Sequence, residues 1–525
     1  MHTDFRKSMA WLHTWAGVIL GSIMFVMFFM GTLSVFKHEI DRWMLPQTRL
    51  AAPATPVSAD AIYDVVKERV GAEPKAVRFT MPTRDFPAIT VYAFPKDGRR
   101  VDLFLDPATL EFTTPMDSAS ARFFLYPMHY RLTPMPYGRW FSAAVAMFML
   151  TMMISGIVIH RKIFVDFFTF RPGKKLPRSS LDLHNITSVL AMPFHLLITI
   201  TGVLILFGLY FTPSLKAVYP DAEDPRRAFY HALEGTVPVV QQNATNPNRI
   251  ASIDAMAREA HAVWGGAELA DVYIEYPDDQ GGVVWLYKSL ADQVSAQNTA
   301  IQFSSATGAM LSSPTSTAAL TAQQWLAGTH MIFFDHWLLR WLYFFAGAAG
   351  CVMIATGFIY WMETRRKTYA RNKWPGVRIV EGFAVWGVMG LMTATAAFFF
   401  VNRAFEPGLW KWNGVLKPYL EIAVFYLTWL AALFHGWARG KAAWADQSLL
   451  LGALSVGAVV LNWTSTGDTL LATAVRGDFA VAGMDAVLLC AAMICFASFF
   501  KIRAVRLREA GRLKAAPPAG AAAAE

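Results

Sequence analysis

Long apolar blocks separated by polar segments are the main feature of this sequence. A membrane-spanning helix needs about 20 predominantly apolar residues. Eight blocks approach or exceed that length: Trp11–Phe36, Gly138–His160, Asn185–Phe211, Trp337–Trp361, Phe383–Val401, Tyr419–His435, Ser448–Trp463 and Ala480–Phe500. The first block is too long for the core of a signal peptide, and no small-residue cleavage site follows it, so we expect a retained anchor. The pattern predicts an all-α polytopic membrane protein.

The basic residues between the blocks predict the orientation. Lysine and arginine are concentrated in residues 161–178, 365–373, 439–441 and 501–508, and Arg6 and Lys7 precede the first block. With eight spans, all of these segments fall on one side of the membrane. Because cytoplasmic segments carry the excess of positive charge, both termini are expected to be cytoplasmic in a bacterial inner membrane. Residues 46–125 and 212–325 are then expected in the periplasm.

Both of these polar segments have the pattern of a small α+β domain. In the first, Ser58 is placed to cap a helix to about Val70, and alternating runs at Ala88–Phe94 and Arg100–Leu105 predict strands. In the second, a helix from Ser252 to about Trp264 is followed by predicted strands at Val272–Glu275, Val283–Tyr287 and Ala300–Phe303 and a turn at Gly308. The predicted organisation is a first span (1–45), a first periplasmic domain (46–125), a second span (126–165), a cytoplasmic loop with the third span (166–211), a second periplasmic domain (212–325), a fourth span (326–366), an additional four-helix region (377–505) and a cytoplasmic tail (506–525).

The composition agrees with a membrane protein and excludes other classes. The chain is 55% hydrophobic and 16% charged, whereas soluble proteins carry about 25% charged residues. The net charge of +9 does not indicate nucleic-acid binding, because the basic residues flank the apolar blocks. All three cysteines, Cys351, Cys490 and Cys495, lie in apolar blocks, so neither a disulfide framework nor a thiolate metal site is expected. The absence of a C-x-x-C-H sequence argues against covalently attached haem.

Residues 1–366 contain an internal repeat. Gly31 follows His13 by 18 positions, and Gly202 follows His184 by the same number. A shift of 201 positions superimposes the second block on the fourth, matching His129, Arg139-Trp140 and Ser155-Gly156 with His330, Arg340-Trp341 and Thr356-Gly357. A unit of helix, polar domain and helix therefore occurs twice, as in membrane proteins that hold a site between repeats.

The repeat brings four histidines into two equivalent pairs. Ionisable residues in membrane helices are rare and usually functional. His13 and His184 are expected near the cytoplasmic surface, whereas His129 and His330 precede the second and fourth helices on the periplasmic side. In an antiparallel four-helix bundle each pair can meet across a diagonal. Each pair is therefore predicted to bind one b-type haem through neutral imidazole nitrogens, giving two haems per chain.

Other residues have weaker claims on the same sites. Gly17 and Gly21 lie on the face of His13, where a flat macrocycle could approach the backbone, although the spacing is equally typical of helix packing. Arg139 and Arg340 are predicted to hold haem propionates. His195, His336 and His160 are alternative ligands: His195 lies three turns beyond His184, His336 could replace His330, and His160 could replace an inner ligand. No carboxylate-rich cluster indicates a different metal.

The first two thirds of the chain resemble the PepSY-associated transmembrane proteins. The similarity is carried by W-L-H-T-W-A-G-V-I-L-G (Trp11–Gly21), V-F-K-H-E-I-D (Val35–Asp41) and V-D-L-F-L-D-P-A-T-L-E (Val101–Glu111), with a weaker counterpart at Ala300–Met310. It covers residues 1–366. His13, His129, His184 and His330 occupy the positions of the histidines that recur in that family.

The resemblance implies an inner-membrane haem b reductase that delivers electrons to ferric siderophores in the periplasm and releases ferrous iron. Some members carry a fused flavodoxin-reductase domain. No Gly-rich nucleotide motif occurs in this chain, so we expect electrons from quinol or from a separate reductase. The ferric chelate is expected to dock between the two periplasmic domains, and membrane lipid is a further predicted partner.

Two other classes of function remain open at this point. The polar domains could be periplasmic binding or regulatory modules with the helices as anchors, since PepSY domains occur as protease-regulating segments. That hypothesis leaves the repeated histidines unexplained. A transporter with eight helices and an internal repeat is also conceivable, but it predicts broken helices with polar residues at mid-membrane, of which the first four blocks show few.

Overall fold

The computed structural model describes residues 3–515 apart from 72–73, 96–99, 115, 134, 161–168, 237–238, 240–249, 298–299, 314–316, 407–408, 410 and 413. The basic residues predicted at 161–168 therefore lie outside the described residues. The helices of the first 366 positions include α1 (Thr3–Ser34), α2 (Lys37–Met44), α3 (Ala59–Val70), α4 (Tyr126–Arg131), α5 (Gly138–Ile159), α6 (Leu176–Leu190), α7 (Met192–Ile205), α8 (Phe207–Tyr210), α9 (Thr212–Val218), α10 (Pro225–Glu234), α11 (Ile253–Val263), α12 (Ala318–Met331) and α13 (Trp337–Arg371). They are followed by α14 (Gly376–Val385), α15 (Leu391–Ala404), α16 (Lys417–Arg439), α17 (Lys441–Thr466), α18 (Leu470–Val475) and α19 (Phe479–Ala515).

Eight spans are confirmed within this part of the chain. Eight helices are long and apolar enough to cross a membrane: Asp4–Ser34, Gly138–Ile159, Met192–Tyr210, Trp337–Arg371, Gly376–Ala404, Lys417–Arg439, Lys441–Thr466 and Phe479–Arg508. Most of them extend beyond the apolar blocks, because a helix continues into its polar flanks as long as its backbone hydrogen bonds can form. The protein is thus a polytopic membrane protein.

The third span differs from its prediction as one continuous helix. The helix is interrupted at Ala191, between α6 and α7, where φ is −95° and ψ is 6°. Pro193 follows two positions later. A proline inside a helix removes one backbone donor and its ring clashes with the preceding turn, which explains the break.

The two polar segments join in one antiparallel sheet. Its strands are β1 (Ala76–Thr80), β2 (Ile89–Phe94), β3 (Val101–Leu105), β4 (Leu269–Glu275), β5 (Val283–Lys288), β6 (Ile301–Ser304) and β7 (Met310–Ser312), in the order β3-β2-β1-β4-β5-β6-β7. A separate hairpin contains β8 (Lys411–Trp412) and β9 (Val415–Leu416). The seven-stranded sheet replaces the expected pair of separate domains, because β1 of the first segment pairs with β4 of the second, with Arg78 opposite Tyr273.

One face of this sheet packs on α3 and α11 around a shared apolar core. Val77, Phe79, Val272 and Ile274 are fully buried there. Because successive residues of a strand point to opposite faces, Arg78 and its neighbours on the same face lie on the side away from these helices. The sheet core is therefore a joint product of both segments.

The helices on the sheet cap each other reciprocally. Ser58 begins α3, and its hydroxyl and the following backbone N–H donate to Asp254 at 2.5 and 2.8 Å. Ser252 begins α11, and its hydroxyl and the next N–H donate to Asp60, both at 2.6 Å. The two segments thus meet through equivalent residues, as expected for two copies of one repeat.

The chain divides into two compact units. The first contains Met1–Phe28, Ser155–Val189 and Gly350–Glu525, and the second contains Phe29–Ile154 and Leu190–Ala349. Within the first unit, α14 passes through a π-helical turn at Trp386–Gly390 into α15. A Cβ atom on Gly387 would lie 2.5 Å from the Ser22 side chain, and the Ser22 hydroxyl donates to the Phe383 carbonyl at 2.9 Å. The additional helices therefore pack closely against α1.

Candidate cofactor-binding histidine pairs

The first predicted pair, His13 and His184, forms within the first unit. His13 lies on α1 and His184 on α6, and their ring centroids are 6.4 Å apart with the rings nearly perpendicular, at 86°. Both side chains are half-buried. The structure thus brings together the two histidines that the repeat had placed in equivalent positions.

The second predicted pair, His129 and His330, forms within the second unit. His129 lies on α4 and His330 on α12, so both sit on short helices that precede the membrane spans α5 and α13. Their ring centroids are 6.1 Å apart and the ring planes differ by 29°. These two side chains are half-buried as well.

Each of the four histidines packs against a glycine on a different helix. Cβ atoms on Gly156 and Gly357 would lie 3.3 Å from His13 and His184, respectively. Cβ atoms on Gly31 and Gly202 would lie only 2.8 Å from His129 and His330. The glycines that mark the internal repeat are therefore the contact points of the four histidines, with one glycine for each ring.

Hydrogen bonds at Nδ1 determine the protonation state of two rings. The Nδ1 atom of His184 lies 2.7 Å from the Met353 carbonyl oxygen, which can only accept. The Nδ1 atom of His330 lies 3.1 Å from the Thr201 hydroxyl oxygen, whose own proton is donated to the Leu197 carbonyl at 2.7 Å. In both rings Nδ1 is thus the donor, and Nε2 carries the lone pair that a metal requires.

His13 and His129 also present Nδ1 to a neighbouring helix. The Nδ1 atom of His13 lies 3.3 Å from the Ser155 hydroxyl oxygen. In the second pair, the Nδ1 edge of the His129 ring faces Gly31. Burial, and then the neighbouring His129, lower the pKa of His330 to about 3. His330 is therefore neutral at physiological pH, which is the form that coordinates a metal.

The ring separations fit a metal atom between each pair. Two imidazole nitrogens, each about 2 Å from a shared metal, place the ring centroids roughly 6 Å apart. The observed separations are 6.4 and 6.1 Å. Among the described residues no group of three or more His, Cys, Asp or Glu side chains is placed to hold a metal ion. Each pair thus offers two imidazole nitrogens that could act as ligands.

The predicted propionate-binding arginines differ in their surroundings. Arg340 is buried, and its guanidinium lies 2.6 Å from Glu39 and donates to the Val35 carbonyl at 2.9 Å. Arg139 is exposed and lies over the Tyr130 ring at 5.5 Å, next to His129. Their equivalence in the repeat therefore does not extend to their contacts.

The weaker candidates have other roles in the structure. His195 is buried, and its Nε2 lies 3.0 Å from the Ala346 carbonyl. His336 is exposed, and its Nδ1 accepts from the Leu339 N–H in the first turn of α13. The surface of Gly21 is filled by the Phe358 ring, 2.7 Å from a Cβ built on that glycine. Gly21 is thus a helix-packing glycine and does not admit a macrocycle, which corrects the sequence interpretation.

Sequence reasoning missed the residues that orient the histidines. Thr201 and Ser155 each precede one of the contact glycines, and both offer a hydroxyl to a ring nitrogen. The signal was present in the sequence as Ser155-Gly156, Thr201-Gly202 and Thr356-Gly357. Only the geometry connects these dipeptides with the imidazoles.

Comparison with known proteins identifies the family. A search of curated proteins found no match to this chain. The family model described as the PepSY-associated TM region matches residues 10–364. That range contains all four histidines and their contact glycines, and it ends before α14. The chain belongs to the PepSY-associated transmembrane family.

Proposed function

We propose that this protein is a haem b reductase of the bacterial inner membrane that passes electrons across the bilayer to ferric siderophores in the periplasm. The observation that supports the proposal is the pair of histidine sites, each with a ring separation that accommodates one metal atom. Two haems per chain are expected. Haem supplies one-electron chemistry when bound.

The chain's own residues provide the ligands and their orientation. The Nε2 atoms of the two pairs would hold the haem iron. Met353 and Thr201 hold His184 and His330 with Nδ1 protonated. Such second contacts fix ring orientation and increase ligand basicity. The helix α1 carries both His13 and Gly31, so it contributes one residue to each site.

The reduction itself requires no acid–base residue. Hard oxygen ligands hold Fe³⁺ more tightly than Fe²⁺. Transfer of one electron converts the bound ferric ion to ferrous ion and leaves the chelator intact, so the metal is released for uptake. Quinol or a separate reductase protein is the proposed source of electrons.

The face of the sheet opposite α3 and α11, around Arg78, is the proposed docking surface for the chelate. Arg78 on β1 forms an ion pair with Asp271 on β4 and remains 47% exposed. On the same face, the Tyr92 hydroxyl accepts from Arg122 at 3.2 Å. Arg122 belongs to the π-helical segment Ala121–Leu125, which continues into α4 and His129. Arginine and tyrosine donors suit an oxygen-rich ligand. The docking surface at the β1–β4 junction replaces the cleft that the sequence analysis expected between two domains.

Haem analysis of the purified protein tests the proposal. A pyridine haemochrome assay should give two b-type haems per chain. His13→Ala and His184→Ala should each reduce this to one, as should His129→Ala and His330→Ala, while combining one substitution from each pair should abolish binding. Ferric chelate reduction should be lost in all four single variants.

The chain offers matched controls. His336→Ala and His261→Ala alter exposed histidines outside the pairs and should retain two haems and full reduction. Purified protein without haem, or two haems per chain when both members of one pair are replaced, contradicts the proposal.

A further inference from the structure

Lys37 lies at the start of α2 and contacts α4, the helix that carries His129. It follows Gly31, the contact glycine of His129, by six residues. Its ammonium group lies over the ring of Tyr126, 5.1 Å from the centroid. Tyr126 and His129 are three residues apart on α4 and therefore share a helix face. Two separate segments of the chain thus place Lys37 close to this pair.

The neighbouring charges of Lys37 are already matched. The side chain of Arg122 lies 3.5 Å from Asp41, and that of Arg340 lies 2.6 Å from Glu39. Asp41 is further held by the backbone N–H groups of Ala121 and Arg122, at 2.6 and 3.2 Å. Of the three neighbouring cations, Arg122 and Arg340 each form an ion pair. Lys37 forms none within the described residues.

This arrangement is costly for the protein alone. Burial, and then the positive charge of Arg122, lower the pKa of Lys37 to about 8. Buried charges are normally paired, since desolvation of an ammonium without a counter-ion is unfavourable. The ammonium group stays charged at neutral pH, so an anion bound at this position would complete the pairing.

We propose that Lys37 binds a carboxylate at the His129–His330 site, and that this carboxylate is a propionate of the haem bound there. The inference rests on the proposed function. It assigns to Lys37 the role that the sequence had suggested for Arg340, whose guanidinium is engaged by Glu39. Arg139 remains available for the second propionate. Lys37 is a positioning residue, because it contacts the haem periphery and not the iron.

Optical redox titration of the purified full-length protein tests the assignment. In Lys37→Gln the propionate loses its counter-charge, which favours ferric over ferrous haem. The ratio of oxidised to reduced haem at fixed ambient potential should rise on the order of tenfold, equivalent to about 59 mV for one electron. One haem should change and the other should not. Lys37→Arg should preserve the potential, and Lys216→Gln, at an exposed lysine of α9, serves as the control.

A second measurement alters the haem of both the native protein and Lys37→Gln. Reconstitution with haem dimethyl ester, which lacks the propionate charges, should abolish the difference between the native protein and Lys37→Gln. The same comparison can be made if Lys37→Gln folds only when it is refolded in the presence of added haem.

The possible outcomes separate this inference from the proposed function. Native protein without haem overturns both. Two haems with an unchanged potential in Lys37→Gln overturn the role of Lys37 alone. If the potentials are unchanged but the KM rises for ferric citrate and not for the neutral ferric acetohydroxamate complex, the carboxylate belongs to the chelate, and the propionate assignment is wrong.

Discussion

At the scale of single residues, glycine controls the position of the four imidazoles. Any side chain at Gly31 or Gly202 would begin 2.8 Å from a histidine ring, which is shorter than van der Waals contact. The corresponding distance at Gly156 and Gly357 is 3.3 Å, so the His13–His184 pair has slightly more room. The sequence predicted that these glycines were equivalent. It could not predict which rings they contact, because that depends on how the helices pack.

Gly31→Ala and Gly202→Ala should therefore disturb the His129–His330 pair. The added methyl group forces the ring to move by several tenths of an ångström, which misplaces the Nε2 lone pair. We expect loss of one of the two haems in the pyridine haemochrome assay, and a weaker effect for Gly156→Ala. Gly483→Ala is the matched control, since nothing lies within 4 Å of its Cβ position. Equal haem contents in all of these variants would contradict this role of the glycines.

His38 makes the stability of the second unit depend on pH. Burial, and then the positive charges of Arg122, Lys37 and Arg340, lower its pKa well below 6.5. Below pH 6.5 the unfolded chain binds a proton that the folded chain excludes, so the free energy of unfolding decreases as the pH falls. Between pH 7.5 and 5.5 the loss from this group is about 1.4 kcal/mol.

Thermal unfolding of the detergent-solubilised protein at these two pH values measures the effect. His38→Gln removes the titrating group and should reduce the difference between the two unfolding temperatures. His261→Gln, at an exposed histidine, should leave it unchanged. An identical pH dependence in native protein and His38→Gln would show that other groups are responsible.

At the scale of elements, the sequence predicted individual strands and helices better than their assembly. The predicted caps Ser58 and Ser252 are confirmed at the starts of α3 and α11. The short strand β1 was missed, although its neighbour β2 was predicted, because its outward-facing Arg78 interrupts the apolar pattern. Its second partner, β4, lies almost 200 residues later. The pairing of β1 with β4 joins the two predicted domains in one sheet. No pattern within either segment predicts this pairing.

The reciprocal caps should contribute to the stability of the sheet. Asp60 receives two hydrogen bonds from the start of α11, and Asp254 receives two from the start of α3. Loss of a helix cap typically costs about 1 kcal/mol. Asp60→Ala and Asp254→Ala should each lower the free energy of unfolding of the sheet by roughly this amount. Hydrogen exchange of the β1 and β4 amides provides the measurement.

The control for the caps is Glu68→Ala, which changes an exposed carboxylate on α3. It should not alter exchange at the β1–β4 junction. Faster exchange confined to the helix next to the replaced aspartate, with β1 and β4 unaffected, would mean that the caps stabilise their helices without joining the segments.

At the scale of the whole molecule, hydropathy and charge predicted the eight spans and the repeat predicted the histidine pairs. The predictions of the spans and of the histidine pairs succeed because they depend on the period of the helix and on the thickness of the membrane. The role of the last four spans could not be predicted in this way. They lie outside the matched family region, and their contacts with α1 and α13 come from side chains whose significance is visible only in three dimensions.

One such contact joins α13 to the additional helices. Arg366 at the end of α13 donates to both carboxylate oxygens of Glu381 on α14, at 2.8 and 3.1 Å. Glu381 is buried, whereas the Arg366 side chain is 27% exposed. Removing one partner of a buried ion pair leaves an uncompensated charge and costs about 3–5 kcal/mol, while replacing both by apolar residues is often neutral. The partial exposure of Arg366 reduces the expected cost of Arg366→Met to about 2 kcal/mol.

A double-mutant cycle decides whether this pair anchors the additional helices. Arg366→Met and Glu381→Leu should each lower the temperature at which the protein loses its haem, and the double variant should recover most of the difference. Lys441→Met is the control, because Lys441 pairs with Glu363 at 3.0 Å and is half exposed, so its loss should have little effect. Additive losses in the double variant would show that the two charges act independently. Recovery would show instead that the additional helices are held to α13 through this pair and thereby support the helix that carries Gly357 against His184.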